Sequence, residues 1–451
     1  MTLRFTKTHL ILIGFLILFS SMMYTIERGA QGSSFWLTYV FAALVVLAYL
    51  RSYYIIRKKV FLTSFYQIYY YSGLLASAAI VSLGAFMIEI KSVGSANGTF
   101  WVVVCFLVIS LEVTAVGFML GSITLFENRV RRLSWGQSKT VILSLSGFAL
   151  LASLFVLLMY GAPALRGVDR TTFWSTMVPG VLRFVPQMMS QSFFLVVFYF
   201  FWSRLFQSSR YFASIMIFAY IGITAFVLGQ KFSGFVLYLN IWCMYLAAMH
   251  YDYKLDKRHL LVAVVGTCLI GLNVIYSYSD ALFVVTRVAL QSQLLWSVFE
   301  DQDPLLFIQD HWKCFFGCGS YRTGIDFISF RYLPSDVYHF YSENGTVLSG
   351  FMPALQILSF GFIATFFLNV FACFWLGFLQ RKISISISEG NLLLSVLFFK
   401  IHLSSTMFWF VGMTSTVRGL LLTSALLLIV TVFLLGAPTA KRTVVSGRVH
   451  G

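Results

Sequence analysis

Residues 100 to 120 read FWVVVCFLVISLEVTAVGFML, and the only charge in those 21 positions is Glu112. A helix rises about 1.5 Å per residue, so a stretch of this length and character crosses the roughly 30 Å hydrocarbon core of a bilayer. The pattern recurs along the chain. Apolar stretches fall at 9–26, 35–50, 64–88, 100–125, 140–162, 188–203, 211–228, 233–249, 259–278, 351–379, 391–411 and 415–436. They predict an all-α polytopic membrane protein with about 12 transmembrane helices. Of the 451 residues, 59% are hydrophobic and only 11% are charged. That balance excludes a soluble enzyme, whose core could not hold so many apolar side chains, and equally a disordered chain. Six cysteines are too few, in a chain this long, for a disulfide-stapled scaffold.

The formal net charge of +16 would point to nucleic acid in a soluble protein. Here the basic residues follow the spans instead. If the N-terminus is cytoplasmic, Arg4 and Lys7 come first, then Arg51 and Arg57 to Lys59, then Arg129, Arg131, Arg132 and Lys139. Arg204 and Arg210, then Lys254, Lys257 and Arg258, then Arg381 and Lys382, and finally Lys441, Arg442 and Arg448 fall on alternate connections. This positive-inside pattern accounts for about 20 of the 32 basic residues, places both termini in the cytoplasm and removes the case for nucleic acid. Arg4 and Lys7 before an apolar run look like a signal peptide, but no small-residue cleavage site follows, so the first stretch is expected to remain as a span.

Three regions follow from this layout: spans one to nine within 1–278, an outer segment at 279–350, and the last three spans with a cytoplasmic tail at 351–451. The outer segment is expected to be a large extracytoplasmic loop with short helices. It holds eight of the chain's 16 carboxylates, together with Arg287, Lys313, Arg322, Arg331, His311 and His339. A connection of that length usually carries function. A shorter outer loop at 163–187 contains Arg166, Arg170 and Arg183, against the positive-inside trend. In the large segment Phe283, Arg287, Gln291 and Leu294 sit at helical spacing, so one helix face can present a guanidinium and an amide together. Arginine suits an anion such as a diphosphate, because its planar fork binds bidentately and keeps its charge. The same residue can also be a snorkelling interface arginine.

The chain resembles the Wzy-type family of O-antigen and oligosaccharide repeat-unit polymerases. The likeness rests on the many spans with one dominant outer loop late in the chain and on Arg287-Val-Ala-Leu-Gln-Ser-Gln-Leu-Leu-Trp296. It rests also on Phe316-Gly-Cys-Gly-Ser320 and on the run from Glu343-Asn-Gly to Leu358-Ser-Phe-Gly361. What the resemblance implies is a multi-pass protein of the bacterial inner membrane that transfers glycans at the periplasmic face, with donor and acceptor both carried on undecaprenyl diphosphate. A chain-length regulator and a flippase would be its protein partners, and no metal or cofactor would be needed because arginines hold the leaving diphosphate. Glu343 is then the first choice for the base that deprotonates the acceptor hydroxyl, with His339 and Asp336 as alternatives. Arg287 with Gln291 would grip the diphosphate and glycan first, supported by Arg166, Arg170, Arg183, Arg322, Arg331 and Arg418. From the residues alone Glu343 can equally cap a helix or face solvent, and Arg418 can anchor the last span at the interface.

An O-antigen ligase would use the same donor and differ only in its acceptor, and a lipid-linked oligosaccharide flippase would have a similar number of spans. The transporter class draws support from Glu112, Lys400 and His402, ionisable residues inside apolar stretches that are expected to pair or to line a cavity. Cys314 and Cys318 face the oxidising side, where free thiols or a disulfide are both open; with His311 nearby, a zinc site would still lack a fourth ligand.

Overall fold

The computed structural model of the chain describes residues 6–29, 36–82, 98–123, 133–166, 168, 170–203, 220–222, 228–229, 232–248, 293–301, 313–316, 324–343, 353–412 and 416–435. Regular structure among these is entirely helical. Helices α1 (Lys7–Gly29), α2 (Trp36–Thr63), α3 (Phe65–Ser82) and α4 (Thr99–Leu120) are followed by α5 (Trp135–Tyr160), α6 (Val185–Trp202) and α7 (Phe232–Ala248). Three short helices come next, α8 (Gln293–Asp301), α9 (Gly324–Tyr332) and α10 (Ser335–Glu343), then α11 (Ala354–Ser388), α12 (Leu392–Thr406) and α13 (Thr416–Leu435).

Six helical stretches are long and apolar enough to cross a membrane: Lys7–Glu27, Trp36–Thr63, Thr99–Leu120, Trp135–Tyr160, Ala354–Ser388 and Leu392–Phe410. The expected count of about 12 is therefore not met among the described residues. Gln191–Trp202, Val236–Ala248 and Gly419–Ile429 are apolar but shorter than a crossing. Helix α3 opens on FYQIYYY, whose tyrosines and glutamine dilute its apolar character. The expected span at 259–278 lies outside the described residues, as does that at 211–228 except for 220–222 and 228.

Two expected boundaries also move. The second apolar stretch ends near residue 50, yet helical structure continues to Thr63, broken only by a kink at Arg57 (φ −133°, ψ 47°), which is buried. Likewise α11 runs past residue 379 to Ser388 and buries Lys382, whose ammonium donates to Ile123 O. Basic residues assigned to connections thus lie inside the bundle, because a long flexible side chain can bury its stem and still find an acceptor.

Contacts fix the helix directions. Phe19 of α1 meets Trp101 near the start of α4, while His9 meets Glu112 further along, so α1 and α4 are antiparallel. Tyr39 meets Trp101 and Tyr53 donates to Leu111 O, so α2 runs parallel to α4. Ser110 lies against Asn369 and Thr114 against Cys373, which makes α11 parallel to α4 as well. Trp375 of α11 donates to Ser405 and Gln380 approaches His402, so α12 returns. One end of the bundle consequently carries Thr99, Tyr160 and Ala354, and the other carries Lys7, Arg57, Arg381 and Lys382.

Helix α11 is the wall shared by two apolar cores. Its first half packs with α1 to α4 and with α8 and α9, and its second half with α5, α6, α7 and α12. Helix α5 starts at a capping box, Ser134 Oγ accepting from Gln137 N while Gln137 Oε1 accepts from Ser134 N. It turns Ser138, Ile142, Ser146, Ala149, Ser153 and Val156 inward and leaves Leu143, Phe148, Leu151 and Leu158 exposed. Small residues inward and bulky ones outward is the arrangement of a helix that packs on protein on one side and on lipid on the other.

The closest approach is between α4 and α11. A Cβ at Gly117 would stand 2.1 Å from Phe374 O, and one at Gly377 would stand 2.1 Å from Thr114 O. Gly117 on α4 and Gly121 at its C-cap form a GxxxG pair, and glycine alone allows two backbones to come this near. Gly147 of α5 has nothing within 4 Å of such an atom. Gly117→Val and Gly377→Val are accordingly expected to destabilise the protein by about 2 kcal/mol or more, seen as a lowered Tm of the purified protein in detergent, whereas Gly147→Ala should leave Tm unchanged or slightly raised.

Candidate functional site

The end of the bundle that carries Thr99 and Ala354 is covered by α8, α9 and α10. Helix α8 packs on α3, α4, α9 and α11, and α9 packs on α10 and α11. The cover is anchored by aromatic contacts: Phe299 lies 6.4 Å from Tyr24 and from Phe362 between ring centroids, and Phe315 lies 5.0 Å from Phe360. Ile328, Tyr332 and Leu333 are buried beneath it. The described parts of 293–343 thus form a helical cap seated on the longer helices.

Several of the expected site residues lie on this cap. His339 is exposed on α10, its ring 5.5 Å from that of Tyr338, and Tyr338 lies 5.5 Å from Phe330 of α9. Glu343 is the last residue of α10, and Asp336 sits exposed in its first turn, where a carboxylate complements the helix dipole. Arg331 closes α9, its guanidinium 5.7 Å from the Tyr332 ring. Helices α9 and α10 pack together, so an arginine, a histidine and the helix end that bears Glu343 share one small unit.

The arginines of the shorter loop find local partners. Arg166 Nε donates to Tyr160 O at 3.1 Å, at the end of α5. Arg183 donates to Val178 O at 3.4 Å and to Ser175 O. These carbonyls lie where helical hydrogen bonding stops, and satisfying them gives the loop a reason to hold arginine. Arg170 is exposed at the head of a three-residue helical turn. Arg287, Gln291 and Arg322 lie outside the described residues, and Arg418 is placed only as the third residue of α13. Cys314 is disulfide-bonded, which removes it as a free thiol or a zinc ligand.

A second constellation lies within the spans. Glu112 Oε1 is 2.9 Å from His9 Nε2 and accepts from Tyr49 Oη at 2.9 Å, while Oε2 accepts from Arg57. His9 Nδ1 is 3.1 Å from Ser52 Oγ, and the Arg57 guanidinium lies 5.3 Å from the Tyr53 ring. His9 is fully enclosed, Arg57 is 4% exposed and Glu112 17%. Three helices thereby meet on one carboxylate. Elsewhere on α4 a second polar set joins Tyr71, Ser110 and Asn369 in a closed triangle of hydrogen bonds, and Gln67 bonds to Thr114. Sequence alone shows Glu112 and expects it to pair; it does not show the partners, because Arg57 reads as a loop cation and His9 as the edge of a span. The other expected pair is separated. Lys400 is exposed on α12 and His402 is buried near Gln380, since residues two apart face different sides of a helix.

No protein-family model matches the chain, and no curated protein or solved structure is found to be similar to it.

Removing one partner of a buried ion pair strands the other, and this costs more than removing both. Glu112→Leu and Arg57→Met are each expected to destabilise the protein by about 3 kcal/mol, and the double variant that combines them by clearly less than the sum. Denaturation of the four proteins in mixed micelles measures this; additive losses would mean that the pair is not coupled.

Proposed function

We propose that the protein polymerises oligosaccharide repeat units carried on undecaprenyl diphosphate, by glycosyl transfer at the periplasmic face of a bacterial inner membrane. The observation that carries this reading is the helical cap, which bears Arg331, His339 and the helix ending in Glu343 at the end of the bundle opposite Lys7, Lys58 and Arg381. Under the positive-inside trend the basic end is cytoplasmic and the cap is outside.

In the reaction the acceptor hydroxyl attacks the anomeric carbon of the donor's reducing-end sugar. The bond from that carbon to the diphosphate oxygen breaks, the electron pair leaves with undecaprenyl diphosphate, and the hydroxyl proton passes to a base. Glu343 is assigned as that base with His339 as its alternative, and Arg287 with Gln291 as the main grip on diphosphate and glycan. Arg331 is the cap's described guanidinium; Arg166, Arg170, Arg183, Arg322 and Arg418 are secondary contributors. Amphiphilic substrates fit a cap seated directly on spans, because the lipid stays in the bilayer while the glycan rises to the cap.

One observation favours a second reading. The buried Glu112, His9 and Arg57 set is the kind of intramembrane charge cluster found along transport pathways, and it supports a flippase or transporter of lipid-linked oligosaccharide.

A deletion strain separates the readings. Loss of a polymerase should leave surface lipid A bearing a single repeat unit, loss of a ligase should leave none, and loss of a flippase should trap repeats inside the cell. In the complemented strain Arg287→Ala should reduce polymerisation about 10²- to 10³-fold, and Glu343→Gln about 10²- to 10⁴-fold with donor binding retained. Long chains at normal levels from both Glu343→Gln and His339→Ala would remove this segment from base catalysis.

A further inference from the structure

Helix α8 is enclosed from Gln293 to Phe299, with Gln293, Leu294, Leu295, Trp296, Ser297 and Val298 lacking exposed surface, and Glu300 after them is partly buried. A helix so buried is normally apolar all round. Instead Gln293, Ser297 and Glu300 recur at helical spacing and make one polar stripe. Ser297 Oγ donates to Gln293 O at 3.0 Å. Neither side-chain amide atom of Gln293 has a hydrogen-bond partner among the described residues, and neither does Glu300 Oε2. On α11, which packs against α8, Ser359 Oγ is buried and also lacks one. Two residues further, Gly361 breaks the α11 helix with φ 79° and ψ 168°, a conformation that only glycine adopts readily. The Phe299 and Phe362 contact ties the Glu300 end of α8 to that break.

Native interiors rarely leave such groups unsatisfied, and where they do a ligand or water is the usual complement. Broken spans facing polar groups are also how membrane proteins build sites for polar substrates. We propose that the α8 stripe and the break in α11 form a subsite for a neutral, hydroxyl-rich group, the sugar of the lipid-linked oligosaccharide. The proposal rests on the polymerase reading given above. The Gln293 amide offers a donor and an acceptor side by side, the pattern that reads a pair of sugar hydroxyls, while Glu300 accepts from another and Ser359 can do either. Helix α8 carries no basic residue, so the group it takes is the glycan and not the diphosphate. Because Gln293 has no exposed surface, the sugar enters as α8 shifts against α11.

The test compares the full-length wild-type protein with Gln293→Leu in lipid nanodiscs, using two probes: undecaprenyl diphosphate alone and the same lipid carrying one repeat unit. The variant should bind the glycan-bearing lipid about 10-fold or more weakly, bind the bare lipid unchanged, and show a raised Tm without ligand, since an apolar side chain of similar size suits an unpaired buried position better than an amide. Ser359→Ala, a milder change, should weaken glycan-lipid binding in the same direction if Gln293→Leu does not fold. Unchanged affinity of both variants, with a lowered Tm for Gln293→Leu, would mean that ordered water alone fills the site; this overturns the subsite and leaves the polymerase reading intact. Failure of the wild-type protein to bind the glycan-bearing lipid would overturn both.

Discussion

The contact on which the bundle depends is the glycine crossing between α4 and α11. With Gly117 and Gly377 each set against the other helix's backbone, the two spans come close enough for short polar side chains to reach across. Thr114 donates to Cys373 O and Asn369 Nδ2 donates to Ser110 Oγ only because of that proximity. Between helices in lipid there is little hydrophobic driving force, so close packing and such hydrogen bonds supply the association. Helix α11 then offers its remaining faces to two separate cores.

Around this pair the polar groups fall into separate hydrogen-bonded sets. Tyr71 joins α3 to Ser110 and Asn369, Gln67 joins it to Thr114, and Glu112 draws α1 and α2 inward through His9, Tyr49 and Arg57. Charge inside a membrane is costly unless paired, and here one carboxylate is met by donors from two other helices. Near the opposite end Glu27 is buried as well, accepting from Tyr39 Oη at 2.5 Å, so α1 and α2 are pinned to each other at both ends. The arrangement ties these helices together through polar groups buried within the bundle.

The helical class and the main spans were legible in the sequence because runs such as 100–120 are long, apolar and nearly free of charge. What composition could not show is where a helix ends when its last turns are basic. Arg57 and Lys382 looked like loop residues, and both are buried on extended helices with acceptors from α4 or its C-terminal turn. The total of spans was overestimated among the described residues because an apolar stretch does not reveal whether its helix is long enough to cross. At the candidate site, Glu343 and His339 were picked out by residue type and place on one short helix, α10. Gln293 falls within the stretch from Arg287 to Trp296, but an amide's lack of partners becomes visible only when its surroundings are known.

Everything functional in the account depends on the cap and the basic end lying on opposite sides of the membrane. His339 on α10 and Lys139 near the start of α5 are both exposed and suit a direct comparison. Each is replaced in turn by cysteine, and labelling with a membrane-impermeant maleimide is measured in sealed right-side-out and inverted vesicles. The expected result is that His339→Cys labels only in right-side-out vesicles and Lys139→Cys only in inverted ones. Labelling of His339→Cys from the cytoplasmic side would contradict the account, because no periplasmic transfer could then occur at the cap.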